Sequence, residues 1–366
     1  QRLSVIDIEQ GHQPFLSEDG EIALVQNGEI FNYRELAQEL KARGNPCRSN
    51  SDTEVILRLF ELDGIDCIKR LNGMFAIAIW DGRNHTLHLI RDRIGVKPLY
   101  VHDDGSKITF GSEIKALLPA LKEVPDADWQ AVHQFLSFNY VPAPLTMYEG
   151  VRHLMPGHRM EIRADQVRTE RWWDLASQQL DQERSEESWI EEFNALLDDA
   201  TRLRMRSDVP IGAFLSGGVD SSTIVGMMSR HSSHPVKSFC IGFEDPRFDE
   251  SPFAQAAADR FSTDHTAEIV DLNLLDLWPE ATRLCDQPHG DVSFLPTYKV
   301  ASLAARHVTV VLTGDGGDEL FAGYDKHKNF FAQDDIASLS DAEFAQRYFD
   351  SISLFTARGK AAIYSE

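Results

Sequence analysis

The order of apolar and polar positions changes character about halfway along the chain. In the first half, short alternating or apolar runs at 22–25, 74–80, 87–90 and 108–110 predict strands, with Asp81-Gly82 and Asp104-Gly105 as turn signals between them. Antiparallel hairpins should follow. Segments 33–42 and 52–62 instead carry apolar residues at helical spacing (Val55, Ile56, Leu59 and Phe60 in the second), and Gly44 and Gly64 stand where helices stop. This half reads as an α+β layered domain.

Residues 181–200 hold eight acidic side chains and one basic one, which marks a shift in composition. Ser188 and Glu191 form a capping-box pattern that predicts a helix start, and Trp189, Phe193, Leu196, Ala200 and Leu203 recur on one face, leaving the acids on the solvated side. A domain boundary is expected at about 185, giving domains 1–185 and 186–366. Beyond it strand, loop and helix alternate: strands at 211–215, 236–242, 268–270 and 308–312, helices at 221–228 and 252–261. That rhythm predicts an α/β domain with a doubly wound parallel sheet, whose ligands sit beyond the carboxyl ends of the strands. The loops after Leu215, Gly242 and Leu312 are therefore where chemistry is sought. The tail from Asp334 reads as helical.

Composition narrows the classes. At 366 residues the chain exceeds one ordinary core, and 42% hydrophobic with 26% charged residues is a globular balance that excludes collagen-like and wholly disordered readings. With 36 Lys+Arg against 58 Asp+Glu, the net charge of −22 argues against a nucleic-acid or anionic-membrane partner. The longest apolar run, 74–80, is far too short to span a bilayer, and no charged-then-apolar leader opens the sequence, so a cytoplasmic protein is expected. Cys47, Cys67, Cys240 and Cys285 lie far apart without a C-x-x-C pair and are expected to be reduced, buried thiols.

The string Phe214-Leu215-Ser216-Gly217-Gly218-Val219-Asp220-Ser221-Ser222 joins a strand to a helix through two glycines, a carboxylate and three hydroxyls. Glycines let backbone approach an anion, and helix N-terminal N–H groups point at it. Asp220 would repel a bare phosphate, so a magnesium ion between it and phosphate oxygens is expected. An ordinary βα turn explains the glycines but not Asp220 flanked by serines. Neither a G-x-x-x-x-G-K-[ST] loop nor a G-x-G-x-x-G fingerprint is present. The stretch resembles the S-G-G-x-D-S pyrophosphate loop of ATP pyrophosphatases, which cleave ATP between its α and β phosphates. That resemblance implies ATP and pyrophosphate contacts at Leu215, Ser216, Gly217, Gly218, Asp220, Ser221 and Ser222.

A second acidic loop follows the apolar run 308–312: Thr313-Gly314-Asp315-Gly316-Gly317-Asp318-Glu319. Three carboxylates on one glycine-rich loop repel each other unless a metal ion or substrate cation relieves them; a solvated turn is the alternative. Asp318 would reach the metal together with Asp220. Asp315 would face an activated carbon and accept a proton from attacking ammonia. With Phe239-Cys240-Ile241-Gly242-Phe243 and Phe248-Asp249-Glu250, these loops resemble the synthetase domain of asparagine synthetases over about 186–333. The resemblance implies that Ile241 borders the adenine and that Thr313 and Gly314 contact the nucleotide. Many members carry Glu where this chain has Asp315, one methylene shorter.

In the first half, the strings around Arg2-Leu3-Ser4-Val5, Gly11-His12-Gln13-Pro14, Asn27-Gly28-Glu29, Ser51-Asp52-Thr53-Glu54, Gly73-Met74-Phe75-Ala76 and Arg91-Asp92-Arg93 together resemble a glutaminase domain of the N-terminal-nucleophile class over about 1–180. Taken singly, Asn27-Gly28 is more often a turn and Arg91-Asp92-Arg93 a surface ion-pair cluster. The resemblance implies a glutamine site of Arg2, Leu3, Val5, Asn27, Gly28, Glu29 and Asp52. Arg2 would hold the α-carboxylate, Glu29 and Asp52 the α-ammonium, and the Asn27 side chain and Gly28 N–H the developing oxyanion. The family's nucleophile is an N-terminal Cys whose own α-amine is the base; Gln1 stands downstream of that position, so the sequence as given is expected not to hydrolyse glutamine while the full-length protein does.

The expected function is thus ATP- and glutamine-dependent amide formation, with aspartate converted to asparagine through β-aspartyl-AMP. Mg2+ and ATP are the implied cofactors, and a homodimer is the family's default. Two rivals stand: amidation of another carboxylate in the same fold, and a nucleotide-binding module without catalysis. The resemblance also implies that the family continues past Glu366 and places a cationic residue there, with Lys326, Lys328 and Lys360 left unassigned to that role. His231 and His234 read as a solvated turn, and Trp172-Trp173 as core packing between domains.

Overall fold

The computed structural model describes residues 3, 5–178, 184–271 and 274–364. Two compact units emerge, interleaved along the chain: Gln1–Glu123 with Arg152–Ile211 and Val308–Val310, and Val124–Val151 with Gly212–His307 and Val311–Glu366. The linear boundary expected at 185 falls inside the first unit, and 124–151 clusters with the second.

In chain order the first unit begins β1 (Phe15–Leu16), β2 (Ile22–Ile30), α1 (Tyr33–Ala42), α2 (Asp52–Asp63), β3 (Gly73–Asp81), β4 (Thr86–Arg91), β5 (Tyr100–Asp103), β6 (Ile108–Gly111) and α3 (Ile114–Leu117). After α4 (Trp129–Phe138) of the second unit come β7 (Val151–His153), β8 (His158–Arg163), β9 (Gln166–Arg171) and α5 (Glu186–Arg204). The strands form a six-stranded sheet ordered β1-β2-β3-β4-β8-β9 and a three-stranded one ordered β6-β5-β7. One face of the larger sheet (Ile22, Leu24 and Ile30 of β2 with Phe75, Ile77 and Ile79 of β3) packs on Leu36, Leu40, Ile56 and Leu59 of the two helices. Its other face (Ala76, Ala78, Leu89) packs with Leu99 and Val101 around β5. Both predicted helices form, α2 starting where the Ser51 hydroxyl accepts from Thr53 N and ending at Gly64.

The edge of β2 positions the first site. β1 pairs only with Ala23 and Leu24, so β2 is uncovered on that side from Gln26 onward. Alternate residues of a strand direct their N–H and C=O to the same edge, and the even-numbered residues of β2 direct theirs to this one. Open-edge donors need partners. Gln26 N donates to Gln13 Oε1 (2.7 Å) and Ile30 N to Asp52 Oδ2 (2.9 Å).

Arg91-Asp92-Arg93 is a buried clamp rather than a surface ion-pair cluster. Asp92, 1% exposed, accepts from the N–H groups of Phe75, Val96 and Lys97 at 3.0–3.1 Å. Arg91 donates to the carbonyls of Gly95, Lys97 and Leu154, and Arg93 to those of Lys69 and Leu71. Trp172 belongs to the core of this unit, stacked on Phe75 with its indole N–H on Arg91 O.

Two expectations for α5 need correction. The helix starts one turn before Ser188, because Ser185 already presents a hydroxyl that accepts from Ser188 N. Its apolar stripe is not core either: Trp189, Phe193 and Leu196 are exposed, while Thr201 and Leu203 are buried. Burial is confined to the last turns because anchoring occurs there, where Arg206 donates to both Glu35 carboxylate oxygens and to Phe31 O.

The second unit contains α4 and then β10 (Ile211–Phe214), α6 (Val219–His231), β11 (Lys237–Phe243), α7 (Ser251–Phe261), β12 (Asp264–Val270), α8 (Trp278–Leu284), α9 (Phe294–Ala304), β13 (Val310–Leu312), α10 (Gly317–Phe321), α11 (Asp325–Phe331), α12 (Asp341–Ile352) and α13 (Ala357–Ile363). Its sheet is ordered β12-β11-β10-β13, with β10, β11 and β12 mutually parallel. From β10 the chain winds outward through β11 to β12, then returns to β13 on the other side. The winding direction therefore reverses between β10 and β13, a topological switch point where the loops leaving two strands open a crevice. Among the described residues no helix is long and apolar enough to cross a membrane, and all four cysteines are free thiols.

Replacing Asp92 by Ala strands the buried Phe75 N–H and the part-buried N–H groups of Val96 and Lys97 at once. Asp92→Ala is expected to destabilise the first unit by about 3 kcal/mol or more in denaturant unfolding. A loss under roughly 0.5 kcal/mol, the scale of a neutral surface change, would contradict the clamp.

Candidate active sites

In the first unit Asn27, Gly28 and Glu29 of β2 and Asp52 of α2 stand together at the open edge of β2. Gly28 pairs across from Phe75 of β3, but Phe75 exchanges both of its backbone hydrogen bonds with Asp92. Gly28 N–H thus lies in the outward row between Gln26 and Ile30, whose N–H groups are taken by side chains. Only glycine fits here. Its φ is +137°, and a Cβ would collide with Met74 O.

Asn27 and Glu29 flank Gly28 on the opposite face from the helices. The Asn27 Nδ2 donates to Ser112 Oγ at 2.9 Å. Asp52, buried at the N-terminus of α2, also accepts from Gln26 Nε2 (3.1 Å), and Gln26 Oε1 accepts from Thr53 Oγ1. Burial pushes the Glu29 carboxyl up to about 7; the neighbouring Asp52 charge adds to this and Lys97 opposes it. A carboxylate in that state gains from a ligand cation. Val5 is buried and Leu3 exposed; Arg2 lies outside the described residues.

In the second unit the two expected loops meet at the switch point. Leu215 is buried with its N–H on Phe239 O, and Ser216 Oγ hydrogen-bonds Ser221 Oγ (3.0 Å) and accepts from Gly218 N. Gly217, at φ +83°, lies against the Phe253–Ala254 backbone. Gly218 caps α6 without a side-chain hydrogen bond, and Ser222 Oγ is a buried oxygen with no partner. The loop after β13 presses on this one: a Cβ on Gly314 would lie 2.6 Å from Ser221 N, and one on Gly317 2.5 Å from Asp220 Cγ. Asp318 follows Gly317, its own carboxylate lying over Gly323. Asp315 is exposed and accepts from Thr313 Oγ1 (2.9 Å). Ile241 lies half-buried on β11, paired across from Glu268. Asp249 braces that strand end, accepting from Phe243 N and Ser251 N.

The donor set can be tested for an ATP and magnesium site. Among the described residues no group of three or more His, Cys, Asp or Glu could hold a metal ion. A magnesium ion needs no such cage, since one or two carboxylates and substrate phosphates suffice. Uncapped helix N–H groups, the orphaned Ser222 hydroxyl and one carboxylate beside them fit that mode. Sequence reasoning missed Ser112 and Gln26. Ser112 is 85 residues from Asn27 and nothing local marks it, whereas Gln26 could have been found from its place beside Asn27-Gly28.

Residues 1–173 match the family model of a glutamine amidotransferase domain, and residues 192–362 that of asparagine synthase. The class is thus an amidotransferase half followed by a synthase half. More particularly, the chain belongs to the glutamine-hydrolysing asparagine synthetase family. A Methanocaldococcus jannaschii protein provisionally named asparagine synthetase (glutamine-hydrolysing) 2 is 38% identical over 360 residues, covering 92% of this chain and 68% of its own length. Asparagine synthetase (glutamine-hydrolysing) 1 of Bacillus subtilis is 37% identical over 89% of this chain and 51% of its own. Amidase chry2 of Gibberella zeae is 31% identical over 88% and 50%. The chain therefore spans between half and about two thirds of these relatives.

The raised Glu29 has a consequence for stability. Between the ordinary glutamate value near 4.5 and about 7, the folded protein holds a proton that the unfolded chain has released. Stability contributed by that proton is present at low pH and lost as pH rises through this window. Glu29→Gln is expected to gain stability relative to the parent between pH 5 and pH 8 in unfolding measurements. An equal difference at both pH values would contradict the assignment.

Proposed function

We propose that the protein forms an amide at the expense of ATP, with glutamine as nitrogen donor and aspartate as the carboxylate, through β-aspartyl-AMP with release of AMP and pyrophosphate. The observation that carries this reading is the contact of two glycine-rich acidic loops at a topological switch point. Gly314 and Gly317 leave room for the Asp220 carboxylate and the Ser221 N–H to stand together, which suits a phosphate chain whose charge must be both held and balanced.

Ser216, Gly217, Gly218, Ser221 and Ser222 hold the pyrophosphate portion in this reading, and Thr313, Gly314 and Ile241 border the rest of the nucleotide. Asp220 and Asp318 would hold magnesium, which when bound neutralises the departing pyrophosphate. Asp315, already oriented by Thr313, accepts a proton from the attacking ammonia. In the other unit Asn27 and Gly28 donate to the oxygen of the glutamine amide as it gains charge, while Glu29 and Asp52 pair with the α-ammonium. Membership of the family supports ATP-dependent amide formation; the choice of aspartate rests on the names of the asparagine synthetase relatives.

The test is pyrophosphate release by the gene product containing this chain, supplied with magnesium-ATP, glutamine and a panel of carboxylic acids. Aspartate is expected to stimulate release at least tenfold over other acids, and Asp220→Asn or Asp318→Asn to lower it on the order of 100-fold. Stimulation by a different acid would overturn the substrate, and absence of pyrophosphate with every acid would overturn the ligase reading.

A further inference from the structure

Ser112 stands just after β6, in the small sheet, and nothing in its local sequence marks it for chemistry. Its hydroxyl nevertheless accepts from Asn27 Nδ2 at 2.9 Å, across 85 residues of chain. This contact bears on the glutaminase reading above, on which the following rests. A primary amide carries two N–H donors on one nitrogen. When one is committed to Ser112, the amide plane is fixed and the second N–H points in one direction only. An oxyanion donor is effective to the extent that it is already aimed before charge develops. Asn27 has no other side-chain hydrogen bond among the described residues, whereas Gly28 N–H is fixed by the strand itself.

We propose that Ser112 is the positioning residue of the oxyanion site: it holds the Asn27 amide so that its remaining N–H and the Gly28 N–H converge on the glutamine amide oxygen. No bond to substrate is required of it. Removing the hydroxyl leaves Asn27 present but free to rotate, so the loss falls on the charged transition state more than on bound glutamine.

The experiment is glutamate release from glutamine by the gene product containing this chain, comparing the parent with Ser112→Ala and Ser112→Thr, and with ammonia-dependent pyrophosphate release as the control for the other unit. Ser112→Ala is expected to lower kcat tenfold or more with KM for glutamine within twofold, to leave the ammonia-dependent rate unchanged, and to be rescued substantially by Ser112→Thr, which keeps the oxygen. An unchanged kcat, an effect on KM alone, or a Thr variant as poor as the Ala variant would overturn the proposal. A fall in the ammonia-dependent rate as well would also overturn it, since that marks general damage to the fold. If the parent releases no glutamate at all, the glutaminase reading fails and takes the role of Ser112 with it, a failure distinguished by appearing before any substitution is made.

Discussion

The first site follows from one open strand edge. β1 ends after two residues, and the remaining N–H groups of β2 have to find partners outside the sheet. Gln13 and Asp52 reach in to satisfy Gln26 and Ile30, and Gln26 in turn holds Asp52. Gly28 lies between them with its N–H facing the same way, in a conformation and a space open to no other residue. The groups that complete the edge are thus the same groups that surround a proposed ligand. Across β3, the buried Asp92 takes both backbone hydrogen bonds of Phe75, the residue opposite Gly28.

The second unit reaches a comparable result by winding instead of by leaving an edge open. Its sheet reverses direction between β10 and β13, so two loops far apart in sequence leave from neighbouring strands. Glycines at 314 and 317 then let the second loop press onto the start of α6, against Ser221 N and the Asp220 carboxylate. Each site places charged side chains beside fixed backbone donors, the arrangement that favours binding of groups carrying both signs of charge, such as an amino acid or a metal-bound phosphate.

Much of this was legible in the sequence, for identifiable reasons. Both helices of the first half and the strands of the second appear because apolar periodicity and glycine stops are local signals. The two glycine-rich loops appear because glycines set beside aspartates directly after a buried strand have few other uses. What stayed hidden was non-local. The Arg91-Asp92-Arg93 string looks polar, and only the fold reveals that carbonyls converge on both guanidinium groups. Trp189, Phe193 and Leu196 have helical spacing, but spacing cannot say which turns are anchored, and here Arg206 anchors only the end. Ser112 is an ordinary residue until Asn27 is brought to it.

The most direct measurement is amide hydrogen exchange at three neighbouring positions of β2, resolved by residue-specific isotope labelling. Gln26 and Ile30 should be strongly protected and Gly28 should exchange at least 100-fold faster in the free protein, with its exchange slowed when glutamine is added. Equal protection of all three amides without ligand would show that Gly28 N–H is already paired, and the account of the first site would fail.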